Sequence, residues 1–251
     1  MTVSISRIKL FKACRKAYQL KYIEGLEPIE KADSLQAGIS YHEKLEQLYE
    51  EGSFDATDYS KESAMATAYQ KYIYPKFKCE KAEEWVEYDF LDGNKIIGRV
   101  DGIAEDGRLV EHKTTGSEIT EEYEYDLQWD EQLLAYMFMT GAREVYYTIC
   151  RKPTIRQKKN ETDEEFFSRM VDWYDDNTES KIRLLLVQRT DEDVAEYGRD
   201  LERIIKEINN CDYFYRNCLN CHKWGRRCEY ASVCLYYDPN QNYVEFTKGE
   251  R

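Results

Sequence analysis

Proline is scarce, 4 in 251 residues, and the chain holds no internal repeat and no low-complexity tract, so no linker divides it. No apolar run approaches the roughly 18 residues that a membrane span needs. The first residues, MTVSISRIKLFK, also lack the apolar core of a signal peptide, which predicts a cytoplasmic protein with no membrane partner. An excess of positive charge is missing too. Lys and Arg number 36 against 49 Asp and Glu, a net charge of −13, and this excludes broad electrostatic capture of nucleic acid. One segment runs against that balance: Arg7, Lys9, Lys12, Arg15, Lys16 and Lys21 follow one another with no acid between them. It reads equally as a solvated helix face or as a phosphate-contacting one.

A hydrophobic fraction of 42% is enough to close a substantial core, so disordered and collagen-like classes are out. The eight cysteines are unevenly spread, with Cys211, Cys218, Cys221, Cys228 and Cys234 in the last fifth of the chain. In a cytosolic protein such a cluster suggests metal before disulfides. Cys79 and Cys150 stand alone among apolar or aromatic neighbours and read as packing residues.

The pattern predicts a helix over residues 4–23, with Ser4 or Ser6 as N-cap and Gly25 as stop. A second helix over 34–50 follows from the stripe Leu35, Gly38, His42, Leu45 and Tyr49, and a third covers 61–74. The period then changes to two. Residues 85–91, 95–103 and 109–114 read as antiparallel strands joined by turns at Asp92-Gly93-Asn94 and Asp106-Gly107. A helix at 127–140, a strand at 145–150, a helix to 174 opened by a Thr162–Glu165 capping box, a strand at 182–188 and a helix at 191–208 complete the order. Helices flanking a mixed central sheet make the fold class α/β.

Asp101 and Glu111 are symmetric about Asp106, so a three-residue loop at 105–107 sets them opposite each other on one sheet face. Alternation adds Lys113 to that face. Two facing carboxylates repel unless a divalent cation neutralises them, and a neighbouring lysine can then act on an attacking water. A solvated hairpin with ordinary surface charge is the alternative. His42 lies on the stripe of the second helix, where a lone histidine is more often a core residue than a ligand. Gln132 and Tyr136 are four apart on a helix and share a face.

Taken in order, His42 in GISYH, Asp101 in GRVDG, the Glu111-His112-Lys113 triplet and Gln132-x-x-x-Tyr136 resemble the RecB-like branch of the PD-(D/E)XK nuclease superfamily. The likeness runs from SRIKLFKACRKAYQLKYIEGL to the terminal cysteines, and YYTICRKPTIRQKKNETDEEFFSRM is similar to phage-encoded members. One departure is that Glu stands at position 111 where Asp is commoner, which keeps the carboxylate.

The resemblance implies one nuclease domain over 1–251, with a restriction-endonuclease-like core at about 34–190. It implies that His42, Asp101, Glu111 and the backbone carbonyl of His112 ligate Mg or Mn, and that Lys113 orients the attacking water. Gln132 and Tyr136 then position DNA or the lysine. Related nucleases hold a four-iron, four-sulfur cluster with one N-terminal and three C-terminal cysteines, here Cys14, Cys221, Cys228 and Cys234, in a region made of residues 4–25 and 209–236. A self-contained alternative is zinc on Cys218, Cys221, Cys228 and Cys234. The function implied is a metal-dependent DNA exonuclease acting on DNA ends or single strands in recombination or repair, with a recombination protein as partner. A nuclease of CRISPR adaptation and a catalytically silent DNA-binding module are the alternatives.

Overall fold

The computed structural model describes residues 1–29, 33–223 and 226–248, and the chain forms two compact units. The first consists of Met1–Ala32, Glu87–Ile97 and Gly198–Arg251, the second of Asp33–Val86 and Gly98–Tyr197. Trp224 and Gly225, inside the predicted segment 209–236, lie outside the described residues. Among the described residues no helix is long and apolar enough to cross a membrane.

In chain order the elements begin with β1 (Thr2–Ser4), α1 (Ile5–Ala13), α2 (Arg15–Tyr18), β2 (Leu26–Pro28), α3 (Asp33–Glu51), α4 (Lys61–Tyr72), β3 (Cys79–Asp89), β4 (Lys95–Ala104) and β5 (Leu109–Thr115). They continue with α5 (Glu121–Asp126), α6 (Glu131–Thr140), β6 (Glu144–Arg151), α7 (Asp163–Asp172), β7 (Ile182–Gln188) and α8 (Asp191–Asn209). Short elements close the chain: β8 (His222–Lys223), β9 (Arg226–Arg227), α9 (Ala231–Cys234) and β10 (Phe246–Lys248).

The second unit is built on a mixed sheet. β4 and β5 pair antiparallel through Gly102↔Val110 and Ile103↔Leu109, β5 and β6 pair parallel from Leu109↔Val145 to Thr115↔Arg151, and β6 and β7 pair antiparallel. β3 pairs with β4 as well. Tyr41, Leu45 and Leu48 of α3, Met65 and Tyr69 of α4 and Ile73 at its C-cap pack in one cluster with Cys150, Tyr174 and Ile182. Each fully buried aliphatic side chain there stabilises the fold by roughly 1.5–3 kcal/mol relative to exposure. This is the α/β class expected, a central mixed sheet flanked by helices.

The buried stripe of α3 is not the predicted one. Leu35 is 54% exposed and the fully buried positions are Tyr41, Leu45 and Leu48, so the N-terminal half of the expected stripe faces away from the core. The predicted helix at 127–140 begins later than expected: Leu127–Trp129 form a 3-10 turn, and α6 starts at Glu131, where Asp130 caps it by accepting the Gln132 N–H at 2.9 Å. The Thr162–Glu165 capping box is present at the start of α7.

In the first unit, Ser4 caps α1 by accepting the Arg7 N–H at 3.3 Å. The single helix predicted for 4–23 is interrupted at Cys14, whose backbone is extended at φ −162° and ψ 110°. The side-chain amides of Asn217 and Asn220 donate to the Ala13 carbonyl at 2.9 and 2.5 Å, satisfying at the break a group that a continuous helix would have used. Ala17, Leu20 and Leu26 pack with Tyr230, Val233 and Phe246, and β10 pairs antiparallel with β2. β1 runs parallel to Lys95–Ile97.

Candidate active site

The hairpin of β4 and β5 closes on a three-residue loop. Ala104 N–H donates to Arg108 C=O at 2.8 Å, and Gly107 takes the left-handed φ of +82° that such loops require. Continuing the register from Gly102↔Val110 by one residue sets Asp101 opposite Glu111. Asp101 Oδ2 accepts the backbone N–H of His112 at 2.6 Å, which pins the carboxylate to β5. Its other oxygen lies 3.4 Å from His42 Nδ1.

A third acid joins them that the sequence reasoning missed. Glu83 Oε1 is 3.7 Å from His42 Nδ1, and its Oε2 accepts Arg99 Nε at 2.7 Å. The hydrogen bonds along the hairpin of β3 and β4 explain why period two failed here. Phe90 N–H reaches Asn94 C=O at one end and Glu105 N–H reaches Lys78 C=O at the other, a shift of one residue, and the extra residue falls at Glu83, whose φ is +50°. A bulge re-aims its side chain. His42, Glu83 and Asp101 each offer one ligand atom, all within 4.8 Å of one another, the only such group found among the described residues.

Burial tends to lower the His42 pKa, but its bonds to Asp101 and Glu83 outweigh that and raise it to about 10. The imidazolium thus sits between two carboxylates where a cation would bind. His42 is no core histidine: its side chain is 29% exposed and faces acids.

Glu111 is fully buried. Lys113 Nζ donates to its Oε1, while Oε2 is buried with no hydrogen-bond partner. An unsatisfied buried carboxylate oxygen costs on the order of 1–3 kcal/mol or more unless a cation completes it. Burial and the Asp101 charge push Glu111 well above the usual carboxylate range, and Lys113 pulls it back. Burial acts to lower the Lys113 pKa, yet the Glu111 charge and hydrogen bond win and raise it, so the lysine is an ammonium.

From Lys113 a chain of bonds leads onward. Lys113 Nζ donates to Gln132 Oε1 at 3.3 Å, Gln132 Nε2 to the Tyr136 hydroxyl at 3.0 Å, and that hydroxyl to the Arg99 carbonyl at 2.6 Å. The i, i+4 pair on α6 therefore fixes the lysine. The His112 ring points to the opposite face of β5, where Thr148 Oγ1 and the Tyr49 hydroxyl hold it at 2.6 and 3.3 Å, and burial pushes its pKa down to about 3. Only its backbone serves the acid pair. The group of one histidine and two acids, His42, Glu83 and Asp101, does not include Glu111, which the resemblance had placed with His42 and Asp101.

In the first unit, Cys14, Cys221, Cys228 and Cys234 line one cavity of about 210 Å³, together with Leu10, Ala17 and Tyr230. Cys218 is exposed and does not line it. Cys14 Sγ accepts the Asn217 N–H at 3.4 Å. None of the eight cysteines is in a disulfide, and Cys150 is buried among core residues as expected while Cys79 is half-buried.

A family profile described as the PD-(D/E)XK nuclease superfamily matches residues 2–235. No curated protein matches the chain in sequence. Among solved structures it is similar to a putative exonuclease from Eubacterium rectale, with a TM-score of 0.52 and 16% identity over 87% of this chain and 85% of that one. That likeness supports the fold. Looser similarities are to an alkaline exonuclease from Laribacter hongkongensis, with a TM-score of 0.39 and 15% identity over 83% of this chain and 88% of that one. A phage related exonuclease from Haemophilus somnus 129PT gives a TM-score of 0.35 and 18% identity over 76% and 94%.

Proposed function

The chain belongs to the PD-(D/E)XK nuclease superfamily, and from that premise we propose that it is a divalent-metal-dependent exonuclease that hydrolyses phosphodiester bonds at DNA ends, in recombination or repair. The observation that carries this reading is the Asp101–Glu111 pair, with a buried, unpartnered oxygen on Glu111 and an ammonium beside it.

The donors gathered at one point suit a hard cation: carboxylate oxygens from Glu83 and Asp101 with one imidazole nitrogen from His42, and the unpartnered Glu111 Oε2 is the further ligand of this proposal. Mg or Mn held there supplies charge neutralisation for the phosphate and activation of the attacking water. The remaining work falls to the protein. Lys113, an ammonium hydrogen-bonded to Glu111, donates to the incoming water or to a phosphate oxygen as negative charge develops. Gln132 holds Lys113 in place, and Tyr136 holds Gln132. The His112 N–H keeps one oxygen of Asp101 engaged and leaves the other directed at His42.

We propose in addition that Cys14, Cys221, Cys228 and Cys234 hold a four-iron, four-sulfur cluster with a structural role. What supports this reading is that these four thiols line one cavity, which Cys218 does not line, so the alternative zinc set would draw on a side chain outside it.

The test of the nuclease reading is substitution at the hairpin. Asp101→Ala and Lys113→Ala should each abolish chelator-sensitive DNA cleavage while the far-UV spectrum and melting temperature stay near those of the wild type. Cleavage by Asp101→Ala at the wild-type rate would overturn the site.

A further inference from the structure

The contacts of the candidate site close into a ring. Asp101 lies 3.4 Å from His42 Nδ1, Glu83 lies 3.7 Å from the same nitrogen, and Glu83 Oε2 accepts Arg99 Nε at 2.7 Å. The Arg99 carbonyl accepts the Tyr136 hydroxyl at 2.6 Å, that hydroxyl accepts Gln132 Nε2 at 3.0 Å, and Gln132 Oε1 accepts Lys113 Nζ at 3.3 Å. Lys113 follows His112, whose N–H returns to Asp101 at 2.6 Å.

Arg99 enters this ring twice. Its guanidinium meets the acids and its carbonyl meets the bonds that lead to the lysine, so one residue of β4 joins the two halves. Core packing does not account for the side chain. It is 53% exposed and borders a cavity of about 430 Å³ with Leu35, Gly38, His42 and Glu83. An exposed arginine paired with an ordinary surface acid would contribute little to stability. Glu83 is not such an acid: its side chain is 10% exposed, its φ is +50°, and it shares the space around His42 with Asp101. The terminal torsion of a glutamate is broad and roughly two-fold, so the side chain itself does not decide which oxygen turns to His42. The bond from Arg99 decides it, engaging Oε2 and leaving Oε1.

We propose that Arg99 is a positioning residue of this site, which aims the Glu83 carboxylate at the metal position and, through its own carbonyl, keeps that carboxylate in register with Lys113. The proposal rests on the metal-dependent reading of His42, Glu83 and Asp101. Partners that orient a ligating carboxylate tune metal affinity by about ten- to a hundredfold. Lysine at this position keeps the charge and loses the planar donor set, so it separates charge from aim.

The experiment measures Mn²⁺ affinity by titration calorimetry on the full chain as wild type, Arg99→Lys, Arg99→Gln, Glu83→Gln, the Arg99→Gln/Glu83→Gln double variant and Tyr136→Phe. Values of kcat and KM for single-stranded DNA are taken at limiting and at saturating Mn²⁺. Arg99→Lys should melt near the wild-type temperature, and it carries the test if Arg99→Gln loses stability by leaving Glu83 unpaired. Both variants should bind Mn²⁺ at least about tenfold more weakly. Their activity should return at saturating Mn²⁺, with KM for DNA near that of the wild type. With Glu83→Gln already present, Arg99→Gln should cost nothing further, because the arginine acts through that acid. Tyr136→Phe, which opens the ring at the Arg99 carbonyl, should weaken Mn²⁺ binding as well. Wild-type Mn²⁺ affinity in folded Arg99→Lys and Arg99→Gln would overturn the proposal, as would an undiminished effect of Arg99→Gln in the absence of Glu83. A raised KM for DNA that persists at saturating Mn²⁺, with metal affinity unchanged, would make Arg99 a contact of the DNA and overturn it too. Mn²⁺ binding that follows the expected pattern in a protein that cleaves no DNA would count against the nuclease reading and leave Arg99 in its role.

Discussion

The backbone N–H of His112 reaches Oδ2 of Asp101 at 2.6 Å, and this single bond couples the spacing of two strands to the aim of a carboxylate of the proposed site. With Oδ2 engaged, Oδ1 is the oxygen that faces His42, 3.4 Å away. The His112 ring, neutral and locked on the far face by Thr148 and Tyr49, anchors that N–H from behind. A change on the core side of β5 therefore reaches the site through the backbone.

Thr148→Val should show this. It removes the 2.6 Å partner of the His112 ring without changing side-chain volume much. Loss of a buried hydrogen bond that leaves an unpaired nitrogen costs about 1–3 kcal/mol in denaturant unfolding. Metal-dependent activity should fall further than Tm does, and the concentration of Mn giving half-maximal activity should rise.

Glu83→Gly separates ligand from backbone. A non-glycine residue at φ +50° carries strain of order 1 kcal/mol, which glycine relieves. The variant should unfold at or above the wild-type temperature once the lost Arg99 ion pair is offset, yet bind Mn at least tenfold more weakly by calorimetry. Wild-type Mn affinity would remove Glu83 from the ligand set.

Glu111→Gln tests the buried acid through pH. The folded-state pKa of Glu111 is raised from 4.5 to about 8, so its protonated form is the one the fold prefers. The stability this contributes is fully present below pH 4.5 and is lost as pH rises through about 8. In metal-free buffer the wild type should therefore lose stability across that window relative to Glu111→Gln, and added Mn should shrink the difference. Parallel stability curves for the two proteins would contradict the assignment.

Cys14→Ala and Cys218→Ala distinguish cluster from zinc. Protein purified without oxygen should be brown, Cys14→Ala should be colourless and less stable, and Cys218→Ala should keep its colour. A colourless wild type with one zinc per chain, released by Cys218→Ala, would replace the cluster with the ion.

The sequence carried the Asp101–Glu111 opposition because a hairpin on a Gly107 loop has one register, fixed locally by the turn. Gln132 and Tyr136 were legible for the same reason, an i, i+4 spacing on one helix. Glu83 was not, because a bulge breaks the alternation from which strand faces are read, and its only local trace is a pair of acids ahead of Trp85. The break at Cys14 was equally hidden. Residues 11–18 are compatible with helix, and the groups that satisfy the interruption, Asn217 and Asn220, lie some two hundred positions away. The α3 stripe misled because apolar spacing alone does not tell a core face from a cavity wall, and Leu35 and Gly38 belong to the cavity.

The most direct test of the account is digestion of end-labelled linear DNA and of covalently closed circular DNA, single- and double-stranded, by wild type and Lys113→Ala with Mg, Mn or chelator. Release of label from linear DNA by the wild type, dependent on added metal, absent on circles and lost in Lys113→Ala, is the result predicted. Metal-independent cleavage, cleavage of circles at the linear rate, or undiminished activity without Lys113 would contradict it.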